Sequence, residues 1–149
     1  VDYPALTRAL KEGAPAADLL KHWMDGRVKQ ATLAQLLADR AARPSFYADA
    51  DYQALPASGP QAEHVIAFTR SDATTGEGDL AVAVPRLVAH LVGDALWSSE
   101  AFAGTDVTVA PGSAWIDLVT GDEVLAEDGR IELGQAFARL PYAVLKRIR

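Results

Sequence analysis

The sequence contains no cysteine, which removes disulfides, thiolate metal sites and cysteine nucleophiles together. Such a chain suits a reducing compartment, and a cytoplasmic location is expected. No apolar run approaches the roughly 20 residues of a membrane span, and the N-terminus lacks a basic stretch followed by a signal-type apolar one. Basic charge is also scarce: 14 Lys and Arg stand against 20 Asp and Glu, a formal net charge of −6. That balance argues against a general electrostatic grip on nucleic acid or anionic lipid, unless Arg139, Lys146, Arg147 and Arg149 form a local strip. Neither nucleic acid nor membrane is expected as a partner. The chain opens Val1-Asp2-Tyr3-Pro4 without methionine, as a trimmed chain or a segment of a longer protein would.

Catalytic signatures are missing too. There is no Gly-x-Ser-x-Gly elbow, and Gly112-Ser113-Ala114 reads only as a turn. Gly76-Glu77-Gly78 precedes a strand rather than a helix, so a hairpin is expected in place of a phosphate cradle. His22, His64 and His90 fall on three different elements, and a metal site would need at least two of them to converge. Asp49-Ala50-Asp51 could hold calcium only with further oxygen ligands from elsewhere. Asp122, Glu123, Glu127 and Asp128 sit in predicted turns, where a solvated acidic edge is expected, whereas a glycosidase needs two carboxylates facing each other in a cleft. Trp23, Trp97 and Trp115 could stack on sugar rings, but core or inter-domain packing is the commoner use of tryptophan. The tail Lys146-Arg147-Ile148-Arg149 reads as an edge strand with its charged face in water. No catalytic residue, cofactor-binding residue or metal ligand is assigned, and no cofactor is expected.

What remains is a pattern of folding elements. Half of the 149 residues are hydrophobic, enough to order one domain, or a small domain with an appendage. Asp2 and Pro4 suit a helix start and Gly13 a helix end. A second helix is predicted from near Pro15 to Asp25-Gly26, and a third from Arg27 to Ala42, closed by Pro44, with Lys29, Asp39 and Arg40 facing water. Beyond Pro44 the spacing turns to short β-prone runs. These are Tyr52–Leu55, His64–Arg70, Leu80–Val84, Thr105–Val109, Ala114–Val119, Glu123–Leu125, Arg130–Leu133 and Tyr142–Ile148, with a polar hairpin loop from Ser71 to Asp79. Val88 to Ala103 has no clean period and leaves more than one reading open, a short helix plus loop covering one end of the sheet being one of them.

The predicted class is α+β: N-terminal helices over residues 1–48, then an antiparallel β-sandwich over 49–149. Val65, Ile66, Phe68, Val82, Val84, Ile116 and Leu118 are expected to contribute its core. Leu6, Leu10, Leu19, Leu20, Trp23, Val28, Leu33, Leu36 and Leu37 are too many for short helices to cover alone. An exposed apolar face or a homotypic contact is expected over Tyr3 to Ala42.

Several stretches, in one order, resemble the C-terminal end of the maltooligosyltrehalose synthases, a family of the α-amylase superfamily. They are Val1-Asp2-Tyr3, Asp25-Gly26-Arg27-Val28-Lys29, Arg43-Pro44-Ser45-Phe46-Tyr47-Ala48, Asp51-Tyr52-Gln53-Ala54-Leu55 and His64-Val65-Ile66-Ala67-Phe68-Thr69-Arg70. Val84-Pro85-Arg86-Leu87, Trp115-Ile116-Asp117-Leu118-Val119-Thr120-Gly121 and Leu140-Pro141-Tyr142-Ala143-Val144-Leu145 continue the series. None is a catalytic signature; the specificity lies in their collinearity. The resemblance implies a parent glucosylmutase, an isomerase that turns the reducing-end α-1,4 linkage of a maltooligosaccharide into an α,α-1,1 linkage. It further implies that the family's aspartate nucleophile, glutamate acid/base and second aspartate lie upstream of Val1, on a catalytic barrel that would be this segment's partner. A carbohydrate-binding module using Trp97 or Trp115 is the alternative, and burial of the indoles separates the two.

Overall fold

The computed structural model describes residues 2–72, 79–93, 95 and 97–149. Helix α1 (Tyr3–Glu12) begins where the Asp2 carboxylate accepts the Ala5 N–H at 2.9 Å, and it ends at Gly13 in the left-handed conformation. The segment expected as one helix from Pro15 is two pieces: α2 (Ala16–Leu19), then a 3₁₀ segment, Leu20–Asp25, kinked at His22. Ala16 and Leu19 are buried, while Trp23 and Met24 are exposed. Past Leu19 little packing holds an α-helix together, and short helices need it.

Helix α3 (Arg27–Ala42) follows Gly26, whose φ of +81° reverses the chain. Pro44 closes α3 as expected but also opens α4 (Pro44–Asp49), a separate short helix that was not predicted at the end of the 1–48 helical segment. Proline fits a first helical turn because the amide it lacks would have no helical partner there.

The strands are β1 (Asp51–Ala54), β2 (Ala57–Ser58), β3 (Val65–Ser71), β4 (Leu80–Pro85), β5 (Asp106–Thr108), β6 (Ala114–Asp117), β7 (Glu123–Leu125), β8 (Arg130–Glu132) and β9 (Ala143–Arg147). They form a six-stranded sheet in the order β1-β3-β4-β9-β6-β7 and a three-stranded sheet β2-β5-β8. Every pairing is antiparallel. A short helix α5 (Ala89–Val92) and a 3₁₀ turn, Ser99–Phe102, fill the stretch open to a helix-plus-loop reading, and α6 (Leu133–Ala136) follows β8. Pro111-Gly112 does not close a hairpin: β5 and β6 lie in different sheets. Residues 73–78 of the expected Ser71–Asp79 loop, with Gly76-Glu77-Gly78, lie outside the described residues. The basic tail is not an edge strand, because β9 runs inside the larger sheet between β4 and β6.

The α+β class holds, with α2, α3 and α4 on one side of the larger sheet, and the smaller sheet, α6 and the Ser99–Phe102 turn on the other. The side-chain choice within the strands differs from expectation. Ala67, Ala83 and Ala143 lie opposite one another across β3, β4 and β9 and share the main buried cluster with Phe102, Phe137 and Ile131, which come from outside the sheet. Phe102 and Phe137 meet edge to face, centroids 5.3 Å apart. Aromatic rings arriving from outside the sheet take up the space over β3 and β4, where the inward residues are alanines, while Trp115 and Leu145 supply large side chains on the same face from β6 and β9. The large residues expected as core point the other way or lie at its rim. Val82 and Leu118 pack with Phe46, Ala50, Leu80 and Val144 beneath α3 and α4, Val65 flanks the main cluster, and Ile66 is 48% exposed.

Gly59 locks the two sheets at one corner. At φ +100° a side chain there would fall on the Gly104 carbonyl oxygen and come within 2.9 Å of the Thr105 Cα.

Candidate functional site

The histidines partly converge. His64, buried at the end of a 3₁₀ turn, meets His90 of α5 with ring centroids 4.8 Å apart. Its Nδ1 lies 3.3 Å from the Arg86 carbonyl and its Nε2 lies 3.6 Å from the Glu63 carboxylate. His22 is exposed on the 3₁₀ segment after α2. Among the described residues no three His, Cys, Asp or Glu side chains are placed to hold a metal ion. Asp49 and Asp51, at the α4–β1 junction, are exposed, as are Asp122, Glu123, Glu127 and Asp128. Ser113 is buried, with its hydroxyl on the Ala110 carbonyl and accepting the Trp115 indole N–H at 2.8 Å.

The titratable groups with perturbed acidity are ones the pattern reading passed over. Asp39, expected in water, is instead nearly enclosed. It receives the guanidinium of Arg43, the Tyr47 hydroxyl at 2.8 Å and, at 3.8 Å, the Lys146 ammonium from β9. Burial alone would raise its carboxyl, but hydrogen bonds from Arg43 and Tyr47 and the nearby cations hold it below the ordinary range. Burial and the Asp39 carboxylate push the Tyr47 phenol up to about 12. Arg43 also lies over the Phe46 ring, 4.5 Å from its centroid. The cluster fastens α3 and α4 to the large sheet. The i, i+4 spacing of Asp39 and Arg43 was visible in the sequence; the arrival of Tyr47 and Lys146 was not.

Asp117, at the end of β6, accepts amide hydrogens from Val119 at 2.7 Å, Thr120 at 2.9 Å and Val144 at 3.1 Å. Burial raises its carboxyl against the pull of those amides. It shapes the turn and ties β6 to β9.

The tryptophans separate cleanly. Trp115 is 2% exposed and belongs to the core. Trp23 is 54% exposed. Trp97 is half-buried: it stacks on Phe102 with centroids 5.7 Å apart and rings inclined by 24°, meets the Phe137 ring edge on, and donates its N–H to the Phe137 carbonyl at 3.0 Å. It lines an open cavity of about 520 Å³ with Ala17, Asp18, Leu20, Lys21, Ala138 and Arg139. Arg139 reaches Asp122 at 3.3 Å and Asp18 at 4.0 Å. A second, apolar groove of about 740 Å³ runs between α1 and α3, along Leu6, Leu10, Leu33 and Leu37.

These features define a helix-covered antiparallel β domain whose perturbed carboxylates serve packing. No family model matches the chain. Two curated proteins named putative maltooligosyl trehalose synthase, from two strains of Mycobacterium tuberculosis, are each 33% identical to it over 117 residues, 77% of this chain. Solved maltooligosyltrehalose synthase from Arthrobacter ramosus superposes with a TM-score of 0.60 at 26% identity over 89% of this chain, and a mutant of that enzyme with 0.59 at 27%. The chain spans 13% of the curated relatives and 16% of the solved ones. It is therefore related, in sequence and in fold, to one part of maltooligosyltrehalose synthase.

Proposed function

We propose that this chain is the non-catalytic C-terminal region of a maltooligosyltrehalose synthase. The parent would be a glucosylmutase that converts the reducing-end α-1,4 linkage of maltooligosaccharides to α,α-1,1 in the cytoplasm. In this reading residues 1–48 close the catalytic barrel region and residues 49–149 form the β domain behind it. The observation that carries it is coverage: 77% of this chain matches 13% of the curated relatives, and 89% of it matches 16% of the solved enzyme.

The exposed apolar side chains of α1 and α3 support an outward role. Leu10, Leu33 and Leu37 are 52%, 47% and 59% exposed, as expected for surface that meets the barrel or a second copy of the segment. The test is an assay of the full-length protein on maltopentaose. Reducing ends should disappear without hydrolysis, and the 149-residue chain alone should leave them untouched. Hydrolysis without isomerisation by the full-length protein, or loss of reducing ends with the segment alone, would overturn the reading.

A further inference from the structure

We infer that the cavity at Trp97 is a surface site for an α-glucan segment. The indole would serve as the platform for one pyranose ring, and Arg139, Asp18 and Lys21 would reach its hydroxyls. The choice of glucan rests on the proposed synthase reading; the site itself rests on geometry.

An aromatic platform must present a ring already fixed in orientation, because ordering a loose side chain on binding costs affinity. Trp97 meets that condition through its stacking on Phe102 and its N–H bond to the Phe137 carbonyl. Trp115 cannot serve, being buried. Next to the indole, Ala17 and Ala138 are small and leave the cavity open. Its volume of about 520 Å³ falls within the range of about 300–1,000 Å³ typical of small-molecule pockets.

The charge balance narrows the ligand class. Arg139 is flanked by Asp18 and Asp122, and Lys21 lines the cavity beside them, so two cations stand against two carboxylates and the rim offers donors and acceptors without a net pull on an anion. A neutral polyhydroxyl ligand fits such a rim, since paired charged groups accept and donate to neighbouring hydroxyls at once. The cavity also joins α2 and the 3₁₀ segment after it to the loop following α6, so an occupant would bridge the helical and β regions.

The test is calorimetric titration of the intact protein with maltoheptaose and, as a β-linked control, cellohexaose. Trp97→Ala should weaken one maltoheptaose binding event by about tenfold. Arg139→Ala should weaken the same event by a smaller factor, and Trp23→Ala should change nothing. Ala138→Tyr, which blocks the cavity without touching the packing behind the indole, should abolish that event and keeps the test decisive if Trp97→Ala fails to fold. Unchanged maltoheptaose binding in Ala138→Tyr, or equal binding of cellohexaose at this site, would overturn the inference. Maltopentaose conversion by the wild-type protein with no effect of the cavity variants on binding would sink this site and leave the synthase reading standing; the opposite pairing would leave the site and sink the synthase reading.

Discussion

Helix α3 runs for 16 residues without one fully buried side chain, whereas β9, at five residues, buries three. Both carry large aliphatic residues. The difference lies in how many sides of each element are covered. Strand β9 has a strand on either flank, the small sheet with Phe102 and Phe137 from short helical segments against one face, and α3 and α4 against the other. Helix α3 packs Leu36 against the Phe46, Leu80 and Val144 cluster and Val28 against the Ala16, Val119 and Leu140 cluster, and it leaves Leu33 and Leu37 facing out beside α1. Stability in this chain is therefore concentrated in the β region, and the helices carry surface suited to something outside it.

Substitutions can sharpen or break that contrast. The largest loss is expected for Trp115→Ala, about 3–5 kcal/mol in chemical denaturation, because a fully enclosed indole is replaced by a cavity. A loss under about 1 kcal/mol would show that the β core is not the stable centre. Arg43→Ala should cost about 1–3 kcal/mol, because Asp39 loses its guanidinium partner in a partly buried site and keeps only the Tyr47 hydroxyl and the more distant Lys146 ammonium. A cost that small mutations on the helix surface also show would mean that the α3–α4 clamp is idle.

Gly59→Ala should cost more than about 1 kcal/mol, since the left-handed backbone and the Gly104 carbonyl both exclude a side chain. Asp39 supplies a pH test. Its carboxyl is held below the ordinary value in the folded state, so its contribution is present above that value and lost as pH falls through the folded one. The stability gap between the wild type and Asp39→Asn, measured by thermal melting, should narrow on going from pH 6 to pH 3; a constant gap would detach the ion pair from stability. The smallest effect is expected for Leu37→Ser, within about 0.5 kcal/mol. Light scattering should show any self-association of the chain weakened by that change, and a large loss of stability would mean that α3 is better covered than its exposure indicates.

Much of the chain order could be read in advance, for local reasons. Asp2, Gly13, Gly26 and Pro44 act within a few residues of themselves, so the ends of α1 and α3 followed from capping and backbone preference alone. Most strands were equally visible as β-branched runs between turn residues. The errors share one cause. Phe68 and Val82 looked like inner-face residues because they are large, yet the inner face of β3 and β4 is lined by alanines, since Phe102 and Phe137 come from short helical segments far along the chain. Asp39 looked like a solvated helix charge, yet Tyr47 and Lys146 close over it. The same limit applies to the Trp97 cavity, whose walls come from residues 17–21, 97 and 138–139.

The sequence by itself determined the class of the fold, the ends of α1 and α3 and the family resemblance, because those depend on local backbone preferences and on the order of segments. Only the tertiary structure decided which face of each strand is the core, that β9 is a central strand, that His64 meets His90, and that of three tryptophans one is core, one is bare and one lines a cavity. Those outcomes depend on contacts between residues distant along the chain, and the space left by one element sets what the next can bury.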